Sequence, residues 1–254
     1  MAKVIAVHSY RGGTGKSHFT ANLATQIALL GYRVAVIDTD LPSPGIHHLL
    51  GLDLDHVQRT LNHYLWGECG IGEVAYNVGT NIGIAQPGAV FLVPGSIKPD
   101  HIARILKDGF DVKRLNDGLR ELMAQLKLDY LFIDTHPGLS KETFLSIAIS
   151  HAVILVLRPD KQDYQGTAVT VDVARQLKVR KLMLAVNKAH AQLDHDALRA
   201  KVEEAYAAPV IGVFPLSEDV AQVASDGVFS LRRPDHPISR LMGQLARHVV
   251  QEAA

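Results

Sequence analysis

A glycine-rich stretch close to the amino terminus combines residue types that can bind phosphate. It reads Tyr10-Arg11-Gly12-Gly13-Thr14-Gly15-Lys16-Ser17. Closely spaced glycines allow a tight loop whose backbone N–H groups point at one anion, and a helix that follows adds the positive end of its dipole. Lys16 can reach terminal phosphates, and the Ser17 hydroxyl can ligate Mg2+. We therefore predict a nucleotide-phosphate site lined by Gly12, Gly13, Thr14, Gly15, Lys16, Ser17 and His18.

Three aspartates stand at or just beyond the ends of apolar runs that predict strands. Asp38 and Asp40 close the run 36–40, and Asp134 closes the run 130–134. Ligands of open α/β sheets bind beyond the carboxyl ends of the strands, where these side chains fall. A single aspartate at such a place often only caps a helix. Beside a phosphate-binding loop, however, we expect Asp38 and Asp134 to hold hydrated Mg2+ and Asp40 to orient the attacking water.

The rest of the chain alternates short apolar runs with longer helical patterns, which predicts a doubly wound, mostly parallel α/β sheet with helices on both faces. Several runs are apolar without alternation, as in strands buried on both sides. Strands are predicted at residues 4–8, 33–38, 90–93, 130–134, 152–157, 181–187 and 210–214. Helices are predicted at residues 18–30, 112–126, 165–177, 196–207 and 238–251. Residues 41–88 are rich in glycine, and we expect loops and short helices there.

Composition excludes several classes of protein. Lys plus Arg and Asp plus Glu number 26 each among 254 residues, so no overall charge draws the chain to nucleic acid or anionic lipid. Cys69 is the one cysteine, which excludes an intrachain disulfide and, in a monomer, a cysteine-held iron–sulfur cluster. No apolar run approaches the roughly 20 residues that span a bilayer. We expect a cytoplasmic protein with a single domain over residues 1–254.

Together these segments resemble the MinD/ParA family of deviant Walker A P-loop ATPases. The general Walker pattern has glycine where this chain has Tyr10, whereas the deviant form opens with an additional basic residue, and Arg11 stands at that place. The resemblance continues through residues 36–40, 132–138, 185–188 and 214–219. It implies that Asn187 recognises adenine and that the loop after Pro215 lines the base.

The resemblance also implies a mechanism. Family members bind ATP with Mg2+, close into a face-to-face homodimer with two nucleotides in the interface, and hydrolyse slowly after a partner engages. By this likeness the catalytic residues are Lys16, Asp40, Arg11 and Asp38, and the metal site is Ser17, Asp38 and Asp134. Arg11 replaces the family lysine that reaches the other protomer's phosphates, a contact that a charged, forked guanidinium can still make.

His136 departs from the family pattern, which commonly has proline there. It lies in the segment that senses the γ-phosphate according to the resemblance. A histidine at this place either titrates near neutral pH or is a solvated loop residue.

Two functions from different classes fit these residues. One is a dimerisation switch that positions or regulates a cargo through an adaptor or activator protein, and the other is a metabolic P-loop ligase or kinase for a small acid. Non-specific DNA is one candidate surface for a switch, through residues 175–181 or Arg232-Arg233. A membrane is disfavoured, because the tail at residues 238–250 has the spacing of a terminal core helix.

Overall fold

The computed structural model describes residues 2–253, which build one eight-stranded sheet. Its strands are β1 Lys3–His8, β2 Arg33–Asp38, β3 Tyr76–Asn77, β4 Ala89–Val93, β5 Tyr130–Asp134, β6 Ala152–Leu157, β7 Lys181–Ala189 and β8 Val210–Pro215. Their spatial order is β3-β4-β2-β5-β1-β6-β7-β8. β3 runs antiparallel to β4, and the other neighbouring pairs are parallel. The predicted mostly parallel α/β sheet is confirmed.

Helices connect these strands. Those in the described residues are α1 Lys16–Leu29, α2 Ile46–Leu49, α3 Leu61–Leu65, α4 Pro99–Asp108, α5 Val112–Gln125, α6 Lys141–Ala148, α7 Lys161–Gln176, α8 His195–Tyr206, α9 Glu218–Val223, α10 Phe229–Arg232 and α11 Pro237–Ala253. Short 3-10 turns lie at Leu54–His56, between α2 and α3, and at Ile71–Val74, between α3 and β3, within the segment predicted to hold loops and short helices.

Several predicted boundaries were wrong, and five elements were not predicted. α1 begins at Lys16 rather than at residue 18, and β7 and β8 run on to Ala189 and Pro215. The unpredicted elements are β3, α4, α6, α9 and α10. α4 opens on Pro99, which lacks a backbone N–H; a helix accepts proline in its first turn because an N–H there would have no intrahelical partner. α6 is eight residues long, too short for a clear helical period.

The helices pack on both faces of the sheet. On one face, Ile5 and Val7 of β1 share a buried cluster with Leu23 of α1 and Leu245 of α11. On the other face, alternate residues of β1 contact a second cluster that contains Leu119 of α5. Because strand side chains alternate between the faces, strands covered on both sides are apolar throughout, as the sequence pattern indicated.

The last helix is part of the core. α11 packs along α1 and buries an apolar row that includes Ile238, Met242, Leu245 and Val249. That face is therefore turned into the protein, as predicted for a core helix. None of the helices within residues 2–253 is both long enough and apolar enough to cross a membrane.

The strand register brings the predicted carboxylates together. Asp134 at the end of β5 lies opposite Asp38 on β2 and opposite Val7 on β1. Since these three strands are parallel neighbours, their carboxyl ends meet at one edge of the sheet. The glycine-rich loop leaves β1 at this same edge.

Candidate functional site

The loop between β1 and α1 turns at glycines whose backbone conformation other residues rarely adopt. The φ angle is +77° at Gly13 and +90° at Gly15. A Cβ added at Gly15 would lie 2.5 Å from Asn187 Nδ2, so space also excludes a side chain there. Phe19 N donates to Gly15 O at 2.9 Å, which starts α1 immediately after the loop. A tight loop leading into a helix N-terminus is an arrangement that binds phosphate.

Two side chains at the end of β7 fix the direction of the peptide groups in the loop. Lys188 Nζ donates to Gly13 O at 2.8 Å, and Asn187 Nδ2 donates to Thr14 O at 2.8 Å. A trans peptide points its N–H opposite to its C=O. The N–H groups of Thr14 and Gly15 therefore point away from these two side chains. On that side of the loop an anion can accept their hydrogen bonds.

The Lys16 ammonium is buried against a carboxylate. Its Nζ lies 2.8 Å from Asp134 Oδ1 and 3.4 Å from Ser17 Oγ, and the Lys16 and Asp134 side chains are 6% and 1% exposed. Thr20, one turn along α1, donates to the same Asp134 oxygen at 3.1 Å. The first turn of α1 and the end of β5 thus form one charged cluster, with Ser17 at its edge.

Asp38 is buried beside this cluster. Its two oxygens accept Asp40 N and Gly45 N, each at 3.1 Å. Burial, followed by the negative charge of Asp134, raises the pKa of the Asp38 carboxyl from 3.8 to about 8. Two buried carboxyls at adjacent strand ends therefore share one ammonium, and a divalent cation would relieve their repulsion. Asp38, Asp134 and the Ser17 hydroxyl offer oxygen atoms only, the donor type that Mg2+ prefers.

Asp40 lies in the loop after β2 and contacts a residue from the loop after β5. His136 Nδ1 is 2.7 Å from Asp40 Oδ1. Thr39, between the two aspartates, donates from both its N and its Oγ1 to Asp134 O, at 2.9 and 3.0 Å. The two loops are therefore joined by backbone and by side chain. Of the two interpretations of His136, a solvated loop residue does not describe this contact.

Arg11 lies against the first turn of α7. Its guanidinium is 3.6 Å from Asp160 Oδ1 and 3.5 Å from Asp163 Oδ1, while its side chain is 37% exposed. Tyr10 packs beside it on Gly166, where an added Cβ would lie 1.8 Å from the tyrosine ring. Both carboxylates also pair with Arg158, at 3.0 Å for Asp160 and 3.3 Å for Asp163, distances shorter than those to Arg11. In a single chain, then, Arg11 is held loosely by carboxylates of its own molecule.

A cavity of about 350 Å3 opens beside the loop, between the ends of β7 and β8. Its apolar wall includes Phe19, Phe214, Val220, Phe229 and Met242, and its polar lining includes His18 and Asn187. Pro215 also lines it, so both residues expected near a base lie here. One Asn187 amide N–H is donated to Thr14 O, which leaves the second N–H and the amide oxygen for a ligand. Burial, with the charge of Lys188 as a second cause, lowers the pKa of His18.

A family model described as the CobQ/CobB/MinD/ParA nucleotide binding domain matches residues 5–231. The chain belongs to this family. The match includes every residue from Arg11 to Pro215 that forms the site, and the resemblance of the sequence to MinD/ParA proteins is confirmed.

Individual relatives of this nucleotide-binding family match most of the chain. An uncharacterized ATP-binding protein of Methanocaldococcus jannaschii is 26% identical over 98% of this chain and 88% of its own length. The antiactivator FleN of Pseudomonas aeruginosa is 26% identical over 86% of this chain and 75% of its own. This chain is also similar to a solved structure, that of the septum site-determining protein MinD of Pyrococcus horikoshii in complex with Mg-ADP. The two superimpose with a TM-score of 0.84 at 22% identity, over 100% of this chain and 98% of that one.

Four side chains of this CobQ/CobB/MinD/ParA site were not predicted from the sequence. Thr20 stands four positions after Lys16 on one face of α1, a spacing that could have revealed it. Lys188 directly follows Asn187, so its place near the loop could also have been inferred. Asp160 and Asp163 gave no local signal, because they meet Arg11 only through the packing of α7 against the loop.

Proposed function

We propose that the protein is an ATPase that binds ATP with Mg2+, dimerises in that state, hydrolyses slowly and thereby switches its binding to a partner. The observation that carries the proposal is the cluster of Lys16, Asp134, Asp38 and Asp40 around a glycine loop at one sheet edge. In this proposal residues 1–254 act as one domain.

Phosphate binding falls to the loop and to Lys16. The N–H groups turned away from β7 receive phosphate oxygens, and the Lys16 ammonium exchanges part of its contact with Asp134 for them. Asp134, Asp38 and Ser17 would hold hydrated Mg2+. When bound, this ion neutralises the charge on the β- and γ-phosphate oxygens. The apolar cavity beside Asn187 receives the base.

Water attack falls to Asp40. Its side chain is 13% exposed, so solvent can reach the carboxylate. A carboxylate in this place orients water and accepts its proton. Lys16 and Mg2+ would stabilise the negative charge of the phosphates during this step.

Dimerisation would depend on Arg11. Its exposed guanidinium is weakly held by Asp160 and Asp163, so phosphates of a second protomer can compete for it. A dimer of this kind places both nucleotides in the interface and couples hydrolysis to dissociation.

The partner in this proposal is an adaptor or activator protein, with non-specific DNA as a further candidate. Arg175, one of the basic residues considered for DNA, donates to the carbonyls of Tyr206 and Ala207. It therefore supports the fold, and a DNA contact would rest on its neighbours. Membrane binding through α11 is disfavoured, since its apolar face is already buried.

The Asp40→Ala variant tests the switch against the ligase or kinase alternative. With hydrolysis blocked, ATP and Mg2+ should convert the protein from monomer to dimer, as measured by light scattering after size-exclusion chromatography. ADP should leave it monomeric. A variant that binds ATP tightly yet stays monomeric would contradict the switch and favour phosphate transfer to a small acid.

A further inference from the structure

The side chains of His136 and Asp40 form a hydrogen bond. Nδ1 and Oδ1 are 2.7 Å apart, and the two side chains are 39% and 13% exposed. Within residues 2–253, no other side chain hydrogen-bonds to the Asp40 carboxylate. The orientation of that carboxylate therefore depends on His136.

The other bonds around Asp40 fix its backbone and leave the carboxylate free to turn. Its N donates to Asp38 Oδ1 at 3.1 Å, and Ser43 N donates to its O at 3.0 Å. An aspartate on a fixed backbone still has two rotatable side-chain bonds. A ring N–H bound to one carboxylate oxygen removes this freedom and leaves the second oxygen for a water.

His136 is itself held on two sides. Its O accepts Thr143 Oγ1 of α6 at 3.3 Å, and the Ser140 hydroxyl caps that helix by accepting Thr143 N at 3.2 Å. Gly138 N donates to Ser9 O at 3.1 Å, next to the glycine loop. The imidazole is thus carried by a segment that is tied both to α6 and to the loop that follows β1.

We propose that His136 is a positioning residue, whose Nδ1–H holds the Asp40 carboxylate in the orientation needed to direct water. The inference rests on the proposed function, because it concerns the residue that acts on that water. His136 touches neither ATP nor water in this scheme, and it acts through Asp40 alone. Because Thr143 of α6 is bonded to His136, the bond also connects α6 to Asp40. A displacement of α6 would therefore change the position of the Asp40 carboxylate.

Two amide substitutions distinguish this role from a general need for a polar residue. The asparagine amide nitrogen occupies the δ position, as the bonding nitrogen of His136 does, whereas the glutamine amide lies one atom further out. We expect His136→Ala and His136→Gln to lower kcat roughly tenfold or more, the scale of a lost hydrogen bond to a charged group. His136→Asn should restore most of kcat. KM for ATP should stay within about twofold in all three.

The control is a histidine–aspartate pair of the same length outside the site. His56 Nδ1 lies 2.7 Å from Asp53 Oδ2, and the His56 side chain is 86% exposed. His56→Ala should leave kcat and KM unchanged. Thermal melting of every variant shows whether the fold is retained, and the variants are compared at equal ATP-dependent dimer fraction.

The outcomes separate this inference from the proposed function. If His136→Ala keeps or exceeds the wild-type kcat while Asp40→Asn lowers kcat strongly, the positioning role is refuted and the ATPase stands. Equal loss in His136→Asn and His136→Gln also overturns it. His136→Ala should add little further loss to Asp40→Asn, whereas additive losses would show that His136 acts independently of Asp40. If the wild-type protein does not hydrolyse ATP, the proposed function fails first.

Discussion

Lys16 Nζ and Asp134 Oδ1 form a buried ion pair at 2.8 Å. Lys16 belongs to the first turn of α1 and Asp134 to the end of β5, 118 residues later in the chain. Thr20 adds a second donor to the same carboxylate oxygen. Removing either partner would therefore leave a buried charge unpaired, and the same ammonium is the cation that a phosphate would bind.

Lys16→Met should damage both stability and nucleotide binding. Removing the ammonium leaves Asp134 buried with only Thr20 as partner, which costs about 3–5 kcal/mol of unfolding free energy. Urea denaturation measures this loss, and calorimetry should show ATP binding weakened at least about a hundredfold. The double variant Lys16→Met, Asp134→Asn should regain much of the stability while still failing to bind ATP. A single variant as stable as the wild type would refute the ion-pair argument.

Asp38→Asn should change the pH dependence of stability. In the folded protein burial keeps the Asp38 proton up to about pH 8, whereas the unfolded chain loses it near pH 3.8. The folded state therefore binds more protons between these values, and its stability falls as pH rises through this window. Asparagine carries no such proton, so the wild type should lose stability relative to the variant as the pH rises.

The measurement is the difference in denaturation midpoint between Asp38→Asn and the wild type across that pH window. Taking the difference cancels the other titrating groups. The same variant should show weaker Mg2+ dependence of ATP binding. A difference that does not vary with pH would mean that the pKa of Asp38 is not raised.

Arg11→Ala should abolish nucleotide-driven dimerisation, whereas ATP affinity should change by less than about threefold. The reason is that, within its own chain, the Arg11 guanidinium contacts none of the loop atoms that face a phosphate. Asp160→Asn should have the opposite effect on the dimer. It keeps the α7 cap, because an amide oxygen can still accept Gln162 N, but removes a charge that holds Arg11.

Sedimentation at increasing protein concentration measures both Arg11 effects. Asp194→Asn is the matched control, since Asp194 caps α8 through the same two-bond pattern without contacting Arg11. If Asp160→Asn and Asp194→Asn shift the dimer equilibrium equally, the carboxylates do not compete with phosphates for the Arg11 guanidinium.

Gly15→Ala should abolish ATP binding and Gly109→Ala should not. Both glycines have a positive φ, +90° and +65°, so both variants carry backbone strain on the order of 1–3 kcal/mol. The added Cβ at Gly15 also meets Asn187 Nδ2 at 2.5 Å, whereas nothing lies within 4 Å at Gly109. Comparing ATP titrations of the two variants isolates the steric effect. Similar affinities would show that the close approach of Asn187 is not needed.

Much of the site followed from sequence because parallel strands bring their carboxyl ends together. Aspartates ending two apolar runs must meet at one sheet edge if those strands are neighbours, and Asp38 and Asp134 do so in register. The glycine loop was predictable for a similar reason, since its residue types permit few other conformations. Their roles in binding and hydrolysis remain predictions that the variants above test.

The remainder depends on packing that a linear pattern does not encode. Arg11 meets Asp160 and Asp163 because α7 begins beside the loop, and nothing near Arg11 in sequence indicates that neighbour. The bond from His136 to Asp40 likewise requires two loops to approach to within one hydrogen bond. The sequence identified His136 as unusual but could not choose between its two interpretations.

Asn187 and Lys188 tie the carbonyls of Thr14 and Gly13 to β7 before any ligand arrives. A loop already held in shape is preorganised, so little conformational entropy is lost when phosphate enters. Calorimetry of ATP binding should then show a favourable enthalpy with a small entropic penalty, and truncating either β7 side chain should enlarge that penalty. In this respect the end of β7 determines how rigid the phosphate loop is, although it contributes no charge to the phosphate side of the loop.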